Sequence, residues 1–266
     1  MTTVLAPVIQ AAMARRIFSA FFWIFLGASS IALFPVAVLI WLVTAPFDRR
    51  LTLLHRFTCF WASLYTWLNP AWRVHIAGRE KIDPAATYVM VANHQSLLDI
   101  LVLFRLFAHF KWVSKIEIFR VPLIGWNMSM NRYVKLKRGD RSSVAQMMRA
   151  CENALGQGSS IMMFPEGTRS HDGRLKAFKP GAFSLAQRMN VPLLPILIEG
   201  TGNALPKRGF VLQGRHEIRI RVLDAIPAES FAGLSIDELT ERVRDRFAAE
   251  LGETRERAPR SATAHR

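Results

Sequence analysis

Cysteine and acidic side chains are both scarce in this sequence. The two cysteines, Cys59 and Cys151, have no metal-binding spacing and are too few for a disulfide framework, so each is predicted to be a small buried apolar residue. Only 20 Asp and Glu stand against 35 Lys and Arg, and the formal net charge of +15 favours anionic partners such as nucleic acid, anionic lipid or phosphorylated metabolites. Because 51% of the residues are hydrophobic, with 18 Phe and 7 Trp, lipid is favoured and no nucleic-acid partner is expected.

Charge is absent altogether from Ile17 to Phe47. A bilayer core about 30 Å thick needs roughly 20 apolar residues as a helix, and this stretch is longer. It predicts membrane attachment, either as one long tilted span or as a bent pair of helices that enters one leaflet and returns. A cleaved signal peptide is disfavoured, because the stretch is too long and lacks a clear small-residue cleavage site. Basic residues flank both ends, so the positive-inside rule does not give an orientation.

A second aromatic stretch, from Phe57 to Leu68, is too short to cross a bilayer. Its Trp and Tyr side chains suit a helix at the membrane interface. A buried helix packed on the following domain fits the same residues equally well.

From Trp72 onward, short apolar strands alternate with amphipathic helices. This pattern is typical of an α/β domain with a largely parallel or mixed sheet covered by helices. We therefore predict an N-terminal membrane-associated helical region over residues 1–69, an α/β domain over 70–252 and a polar, disordered tail over 253–266. The predicted strands are 88–92, 112–114, 133–136, 160–164, 193–198 and 218–222, and the predicted helices are 96–107, 142–155, 180–189 and 235–251.

The sequence NHQSLLD, residues 93–99, contains the first group of side chains suited to catalysis. His94 falls in a predicted strand-to-helix turn, where active sites gather in open α/β sheets. Asp99, in the first helical turn, could accept the imidazole N–H and leave the other ring nitrogen free as a base. The alternative is a capping box, in which Ser96 and Asp99 only close the helix N-terminus.

The sequence FPEGTRS, residues 164–170, directly follows a predicted strand. Pro165 ends the strand, and Gly167 permits a tight or left-handed turn. Arg169 offers a planar fork of donors suited to phosphate, and Glu166 could orient a basic group in the same turn. A surface turn with solvated charges is the plainer interpretation.

Two further segments are less specific. Residues 115–141 are rich in Lys and Arg, and most of these, taken singly, fit a solvated face. Within that segment Pro122 and Gly125 predict a turn that brings a basic strand back to the site. The sequence VPLLPI, residues 191–196, reads as a stiff apolar strand, which is more often structural than catalytic.

Taken in order and at these intervals, N-H-x-x-x-x-D, the basic segment, F-P-E-G-T-R-S and V-P-x-x-P-I resemble the glycerolipid acyltransferase family. The resemblance spans about residues 70 to 225 and is greatest to the bacterial 1-acyl-sn-glycerol-3-phosphate acyltransferases. It implies an O-acyltransferase that moves a fatty acyl group to the free hydroxyl of 1-acyl-sn-glycerol-3-phosphate and gives phosphatidic acid.

The resemblance also implies roles for single residues. His94 would be the general base, oriented by Asp99. Two residues of the basic segment, Arg132 and Lys137, replace a glycine and an acidic residue common in the family, which leaves another lysophospholipid or a lyso-aminolipid open as the acceptor. The other implied positions are the phosphate ligands Lys115 and Arg138, the substrate-binding residues Glu166, Gly167 and Arg169, and Pro192 and Pro195 on the acyl-donor side.

No metal is expected, because His94 and Asp99 are the only paired candidate ligands. No bound cofactor is expected either, and the co-substrate would be an acyl-CoA or acyl-carrier-protein thioester. The expected partners are membrane lipids, a lysophosphatidate-type acceptor and, as a candidate, acyl carrier protein. The expected location is the bacterial inner membrane with the catalytic domain on the cytoplasmic side. Two other classes stay open: a membrane phosphohydrolase with His94, Asp99 and Glu166 as metal ligands, and a non-catalytic lipid-binding membrane protein.

Overall fold

The computed structural model describes residues 2–170, 172–207 and 209–252, so the predicted tail 253–266 lies outside the described residues. The helices are α1 (Thr2–Thr44), α2 (Thr52–Trp67), α3 (Leu98–Phe104), α4 (Ile124–Met130), α5 (Arg141–Gly156), α6 (Gly181–Met189), α7 (Thr201–Ala204) and α8 (Ile236–Glu250). The strands are β1 (Trp72–Ala77), β2 (Val89–Ala92), β3 (Phe110–Lys115), β4 (Val134–Leu136), β5 (Ser160–Met163), β6 (Leu193–Glu199) and β7 (His216–Val222).

These strands form one seven-stranded mixed sheet in the order β1-β7-β6-β2-β5-β3-β4. The five strands from β6 to β4 are parallel, and β7 pairs antiparallel with β6 while β1 follows β7 in parallel. The predicted fold class is therefore confirmed. β2 lies between β5 and β6, so the turn that follows it has neighbours on both sides.

Strand β2 shows how the sheet divides the core. All four of its residues are buried, as expected for a parallel strand covered on both faces. Met90 and Ala92 belong to the layer that contains α1, α2 and α3, whereas Val89 and Val91 belong to the layer that contains α5, α6 and α8. Cys59 is buried in the first layer and Cys151 in the second, as predicted.

The charge-free stretch is a single unbroken helix rather than a bent pair. α1 continues through Pro35 for 43 residues in all. By length and composition, its Ile9–Thr44 portion is apolar enough to cross a membrane.

One side of α1 packs on the α/β domain. The hydroxyl of Ser19 accepts the Leu212 N–H at 2.8 Å, and the Trp23 indole N–H donates to the Phe210 carbonyl at 2.7 Å. Because these contacts lie outside the helix itself, they fix its position against the domain. The opposite side leaves large apolar side chains exposed: Ile17, Phe21, Ile24, Ile31, Leu39 and Leu42.

The second aromatic stretch lies within α2, which packs on α3 and α1. The helix therefore packs on the domain, as the second interpretation predicts, and only its outer side leaves large apolar side chains exposed. Its buried side carries Leu54, Thr58, Trp61 and Tyr65, and its outer side exposes Leu53, Phe60 and Trp67.

Strand β1 and helix α4 were not predicted. β1 pairs with β7 at one sheet edge. α4 replaces the simple turn expected from Pro122 and Gly125, although the chain does return to the sheet as β4. Gly125 lies inside α4, where a Cβ atom would come within 2.4 Å of the Phe119 carbonyl group, so glycine is needed for close packing.

Candidate active site

His94 lies at the carboxyl edge of the parallel strands, in the turn between the end of β2 and the start of α3. Asn93 ties this turn to the neighbouring strand β6. Its side-chain amide donates to the Ile198 carbonyl and its side-chain oxygen accepts the Ile198 N–H, both at 2.8 Å. The backbone that carries His94 is therefore fixed by the sheet.

His94 and Asp99 contact each other directly. Nδ1 of His94 lies 2.8 Å from Oδ2 of Asp99, and the same oxygen accepts the N–H groups of Gln95 and Ser96 at 2.6 and 2.9 Å. Oδ1 accepts the hydroxyl of Thr201. Since Asp99 is fully buried, this carboxylate is held entirely by protein donors.

The structure contains only part of the predicted capping box. Asp99 does accept the Ser96 N–H, as in a capping box, but α3 starts at Leu98 without a side-chain cap. The Ser96 hydroxyl accepts the Leu98 N–H at 3.2 Å and donates to the Leu205 carbonyl at 2.7 Å. One carboxylate therefore both closes the start of α3 and contacts the imidazole.

The imidazole of His94 is also fixed from its face. It stacks on the Phe164 ring with centroids 3.9 Å apart and an interplanar angle of 11°, and Phe164 in turn stacks on Trp112. His94 is 9% exposed. With Nδ1–H donated to Asp99, the lone pair of Nε2 is available to a substrate proton, and among the described residues Nε2 has no hydrogen-bond partner.

The FPEGTRS turn packs directly against the turn that holds His94. Oε1 of Glu166 accepts the His94 N–H at 2.8 Å, and the His94 carbonyl accepts the Ser170 N–H at 2.7 Å. Gly167 has φ +69°, and a Cβ there would lie 2.9 Å from the Lys179 side chain. The two motifs are therefore parts of one structure, although they are 70 residues apart along the chain.

Glu166 is buried rather than exposed to a ligand. Burial raises its pKa to about 7, and the backbone donors of His94 and Lys176 only partly oppose this rise. Its carboxyl group holds the His94 backbone and the Lys176 N–H, so its visible contacts are internal.

A cavity of about 360 Å³ runs from His94 between α1, α2, α3 and α4. Three of the predicted ligands line it together with His94, namely Lys115, Arg138 and Arg169. Most of the remaining lining is apolar and includes Trp23, Leu26, Trp61, Ala62, Leu101 and Met128. Trp23 and Leu26 come from α1, so the N-terminal helix forms part of the wall.

The three cations differ in exposure. Lys115 and Arg138 are exposed, and Lys115 lies 3.1 Å from Glu117. Arg169 is half-buried, and burial lowers its pKa while the charge of Asp99 opposes that shift. A guanidinium stays charged in proteins, so the cavity presents positive charge beside the imidazole.

Pro192 and Pro195 lie away from this cavity. Pro195 is a buried residue of β6 opposite Val91, and the Pro192 carbonyl accepts the Val89 N–H at the start of β2. Neither residue lines the cavity that holds His94. The structure therefore brings together His94, Asp99, Lys115, Arg138 and Arg169 and places Glu166 and Gly167 just behind them. Pro195 lies in the sheet, and Pro192 directly precedes β6.

Three residues in contact with this site were missed from the sequence: Asn93, Phe164 and Thr201. Asn93 and Phe164 stand inside the two motifs, so their positions were visible but their contacts were not. Thr201 follows β6 and reaches Asp99 only because β6 lies beside β2.

A sequence model of the family described as Acyltransferase matches residues 73–199. A 1-acyl-sn-glycerol-3-phosphate acyltransferase of Chlamydomonas reinhardtii is 36% identical over 242 residues, which cover 90% of this chain and 72% of that protein. A chloroplastic 1-acyl-sn-glycerol-3-phosphate acyltransferase of Brassica napus is 37% identical over 207 residues, or 77% of this chain. The match spans 58% of the length of the Brassica napus protein.

The crystal structure of the 1-acyl-sn-glycerophosphate (LPA) acyltransferase PlsC from Thermotoga maritima has the same fold. It matches with a TM-score of 0.70 and 22% identity, over 91% of this chain and 99% of that one. The extent of the sequence matches shows that the chain belongs to the glycerolipid acyltransferase family.

Proposed function

We propose that this protein moves a fatty acyl group from a thioester donor to the free hydroxyl of 1-acyl-sn-glycerol-3-phosphate, giving phosphatidic acid for phospholipid biosynthesis. One observation carries the proposal: His94, held by Asp99, lines the same largely apolar cavity as Lys115, Arg138 and Arg169. The names of the relatives support lysophosphatidate as the acceptor.

The chemistry follows from the imidazole. Nε2 of His94 takes the proton of the glycerol hydroxyl as that oxygen attacks the thioester carbonyl carbon, and Asp99 stabilises the imidazolium that forms. The carbon–sulfur bond then breaks, and the leaving thiolate takes the proton from the His94 imidazolium. General-base catalysis of this kind contributes about 10²- to 10⁴-fold in rate.

The cations and the apolar lining suit the two halves of a lysophospholipid acceptor. A phosphate bound by Lys115, Arg138 and Arg169 would hold the hydroxyl near His94, which lowers the entropic part of the barrier. The apolar lining between α1 and α4 suits an acyl chain. For Glu166 and Gly167 we propose an indirect part, in which they shape the turn that carries Arg169.

Other lysolipid acceptors remain the second candidate, and the structure weakens the reason for them. Lys137 pairs with Asp140 at 3.4 Å, and the guanidinium of Arg132 reaches the Arg49 carbonyl at 3.5 Å. Neither of these two unusual basic residues lines the cavity. Their charge therefore does not enlarge the proposed phosphate site.

The proposed location is a membrane surface with α1 as the anchor. The exposed apolar side of α1 would face lipid, and the side of α1 that packs on the domain contributes Trp23 and Leu26 to the cavity wall. A lipid acceptor can then pass from the membrane into the cavity along the helix. We propose the cytoplasmic face of a bacterial inner membrane, where water-soluble acyl-CoA or acyl carrier protein can reach the site.

The test is acyl transfer by the purified full chain in detergent or vesicles, with lysophosphatidate, a panel of other lysolipids and both donor types. Wild type should acylate lysophosphatidate best, and His94→Ala should lose about 10²- to 10⁴-fold in kcat while it still binds vesicles. His75→Ala, an exposed histidine on β1, is the matched control and should behave as wild type.

Four outcomes would contradict the proposal. A preference for another lysolipid would replace the acceptor. Full activity in His94→Ala would remove the mechanism. Vesicle binding without any transfer would favour a lipid-binding protein, and hydrolysis sensitive to chelators would favour a metal-dependent phosphohydrolase.

A further inference from the structure

We infer that Thr201 is a positioning residue for the proposed reaction: its hydroxyl fixes the Asp99 carboxylate so that Oδ2 faces the imidazole of His94. The inference rests on the proposed function, since it concerns the same base. Thr201 lies outside all four sequence motifs, more than 100 residues from His94, and is fully buried.

The fold delivers Thr201 to this position through β6. β6 runs parallel to β2 as its direct neighbour, so the turns after both strands lie at the same edge of the sheet. Gly200 has φ +86°, and a Cβ there would lie 2.2 Å from the Glu217 carbonyl oxygen. Only glycine fits this turn without strain, and the turn directs Thr201 toward Asp99.

The two oxygens of Asp99 have different surroundings. Oδ2 receives three donors, which are His94 Nδ1 and the N–H groups of Gln95 and Ser96. For Oδ1 the hydroxyl of Thr201 is the only hydrogen-bond donor within the described ranges. The same hydroxyl also lies 3.5 Å from the Gln95 side-chain oxygen, a much longer contact.

This asymmetry gives Thr201 a specific task. A carboxylate rotates easily about its Cβ–Cγ bond, and donors on both oxygens stop that rotation. Without the hydroxyl, Oδ1 would be buried and unpaired, and the carboxylate would turn to share the donors on Oδ2. The Nδ1–H of His94 would then lose its alignment, although His94 and Asp99 would both still be present.

The experiment compares Thr201→Val, which keeps the shape and removes the hydroxyl, with Thr201→Ser, which keeps the hydroxyl. Thr240→Val is the matched control, because Thr240 is a buried threonine of α8 whose hydroxyl bonds the Ile236 carbonyl, away from the cavity. Thr201→Val should lose about tenfold to a hundredfold in kcat with KM for lysophosphatidate unchanged. Thr201→Ser should stay within about threefold of wild type, as should Thr240→Val.

Thr201→Ala covers the outcome in which the valine variant does not fold, and its kcat should then lie at least about tenfold below that of Thr201→Ser. A second readout does not depend on the acceptor. In protein with nitrogen-15-labelled histidine, the downfield Nδ1–H signal, assigned by its loss in His94→Ala, should persist in Thr201→Ser and shift or vanish in Thr201→Val.

The inference would be overturned if Thr201→Val had the kcat of wild type, or if its KM rose while kcat stayed unchanged. Equal losses in the serine and valine variants, or an unchanged Nδ1–H signal, would overturn it too. Absence of transfer to lysophosphatidate by the wild type would instead refute the proposed function, and the Nδ1–H signal would still decide the part played by Thr201.

Discussion

Replacement of Asp99 by asparagine separates the charge of this side chain from its hydrogen bonds. Two backbone N–H groups, those of Gln95 and Ser96, point at Oδ2, so the asparagine oxygen should occupy that position and still accept Nδ1–H of His94. The new amide group would then face the Thr201 hydroxyl, which can accept a hydrogen bond. The fold and the tautomer should both survive while the negative charge is lost.

The size of the effect follows from the geometry. Nδ1 and Oδ2 are 2.8 Å apart, which places the centres of the two charges about 4 Å apart in the imidazolium form. With an effective dielectric constant of about 20, the lost attraction is about 4 kcal/mol. Since each 1.36 kcal/mol is tenfold in rate, kcat should fall about 10³-fold in Asp99→Asn.

The assay is steady-state acyl transfer to lysophosphatidate, with thermal unfolding measured on the same samples. Asp83→Asn is the matched control, because exposed Asp83 also accepts a backbone N–H, from Ala85, and lies outside the cavity lining. KM should change little, and the unfolding temperature should fall by no more than a few degrees. A fall in kcat of less than about tenfold in a folded Asp99→Asn protein would refute the view that this carboxylate stabilises the imidazolium.

Two further predictions concern Glu166 and the cavity. Burial raises the pKa of Glu166 from 4.5 to about 7, so the folded protein favours the protonated form and should lose stability, on the order of 3 kcal/mol, as pH rises from about 4.5 through 7. In thermal unfolding between pH 5 and 8, Glu166→Gln should not show this loss of stability, whereas the surface variant Glu80→Gln should show it as wild type does. Parallel curves of stability against pH for wild type and Glu166→Gln would contradict the prediction. Ala62→Phe should fill part of the cavity and lower kcat/KM for long acyl chains more than for short ones in a donor and acceptor panel, whereas exposed Ala150→Phe should not. An unchanged chain-length profile in Ala62→Phe would show that no acyl chain lies beside α2.

The contact between His94 and Asp99 was predictable because it is local. A strand followed closely by a helix leaves few places for a side chain five residues on, and the first helical turn folds back over the preceding loop. The approach of FPEGTRS to this turn was predictable for a similar reason, since parallel strands end at one edge of a sheet. The two motifs predicted which side chains would meet, and the strand pattern predicted at which edge of the sheet they would lie.

Other features of the site depend on which strands are neighbours in the sheet, and a local sequence pattern does not carry that information. Thr201 reaches Asp99 only because β6, and not another strand, lies beside β2. The inner position of Pro195 has the same cause, because a proline-containing strand looks the same from sequence whether it lies in the sheet or beside a ligand. α4 was missed because Pro122 and Gly125 resemble a turn, whereas the glycine is needed for contact with Phe119.

The contribution of Trp23 and Leu26 to the cavity wall has a practical consequence. Removal of the residues before Thr52, a common route to soluble material, would delete α1 and with it the part of the cavity wall that Trp23 and Leu26 form. Solvent would then reach the cavity residues that α1 covers. We expect such a shortened protein to lose acyl transfer even if its sheet forms, because α1, the proposed membrane anchor, also contributes Trp23 and Leu26 to the cavity of the proposed active site.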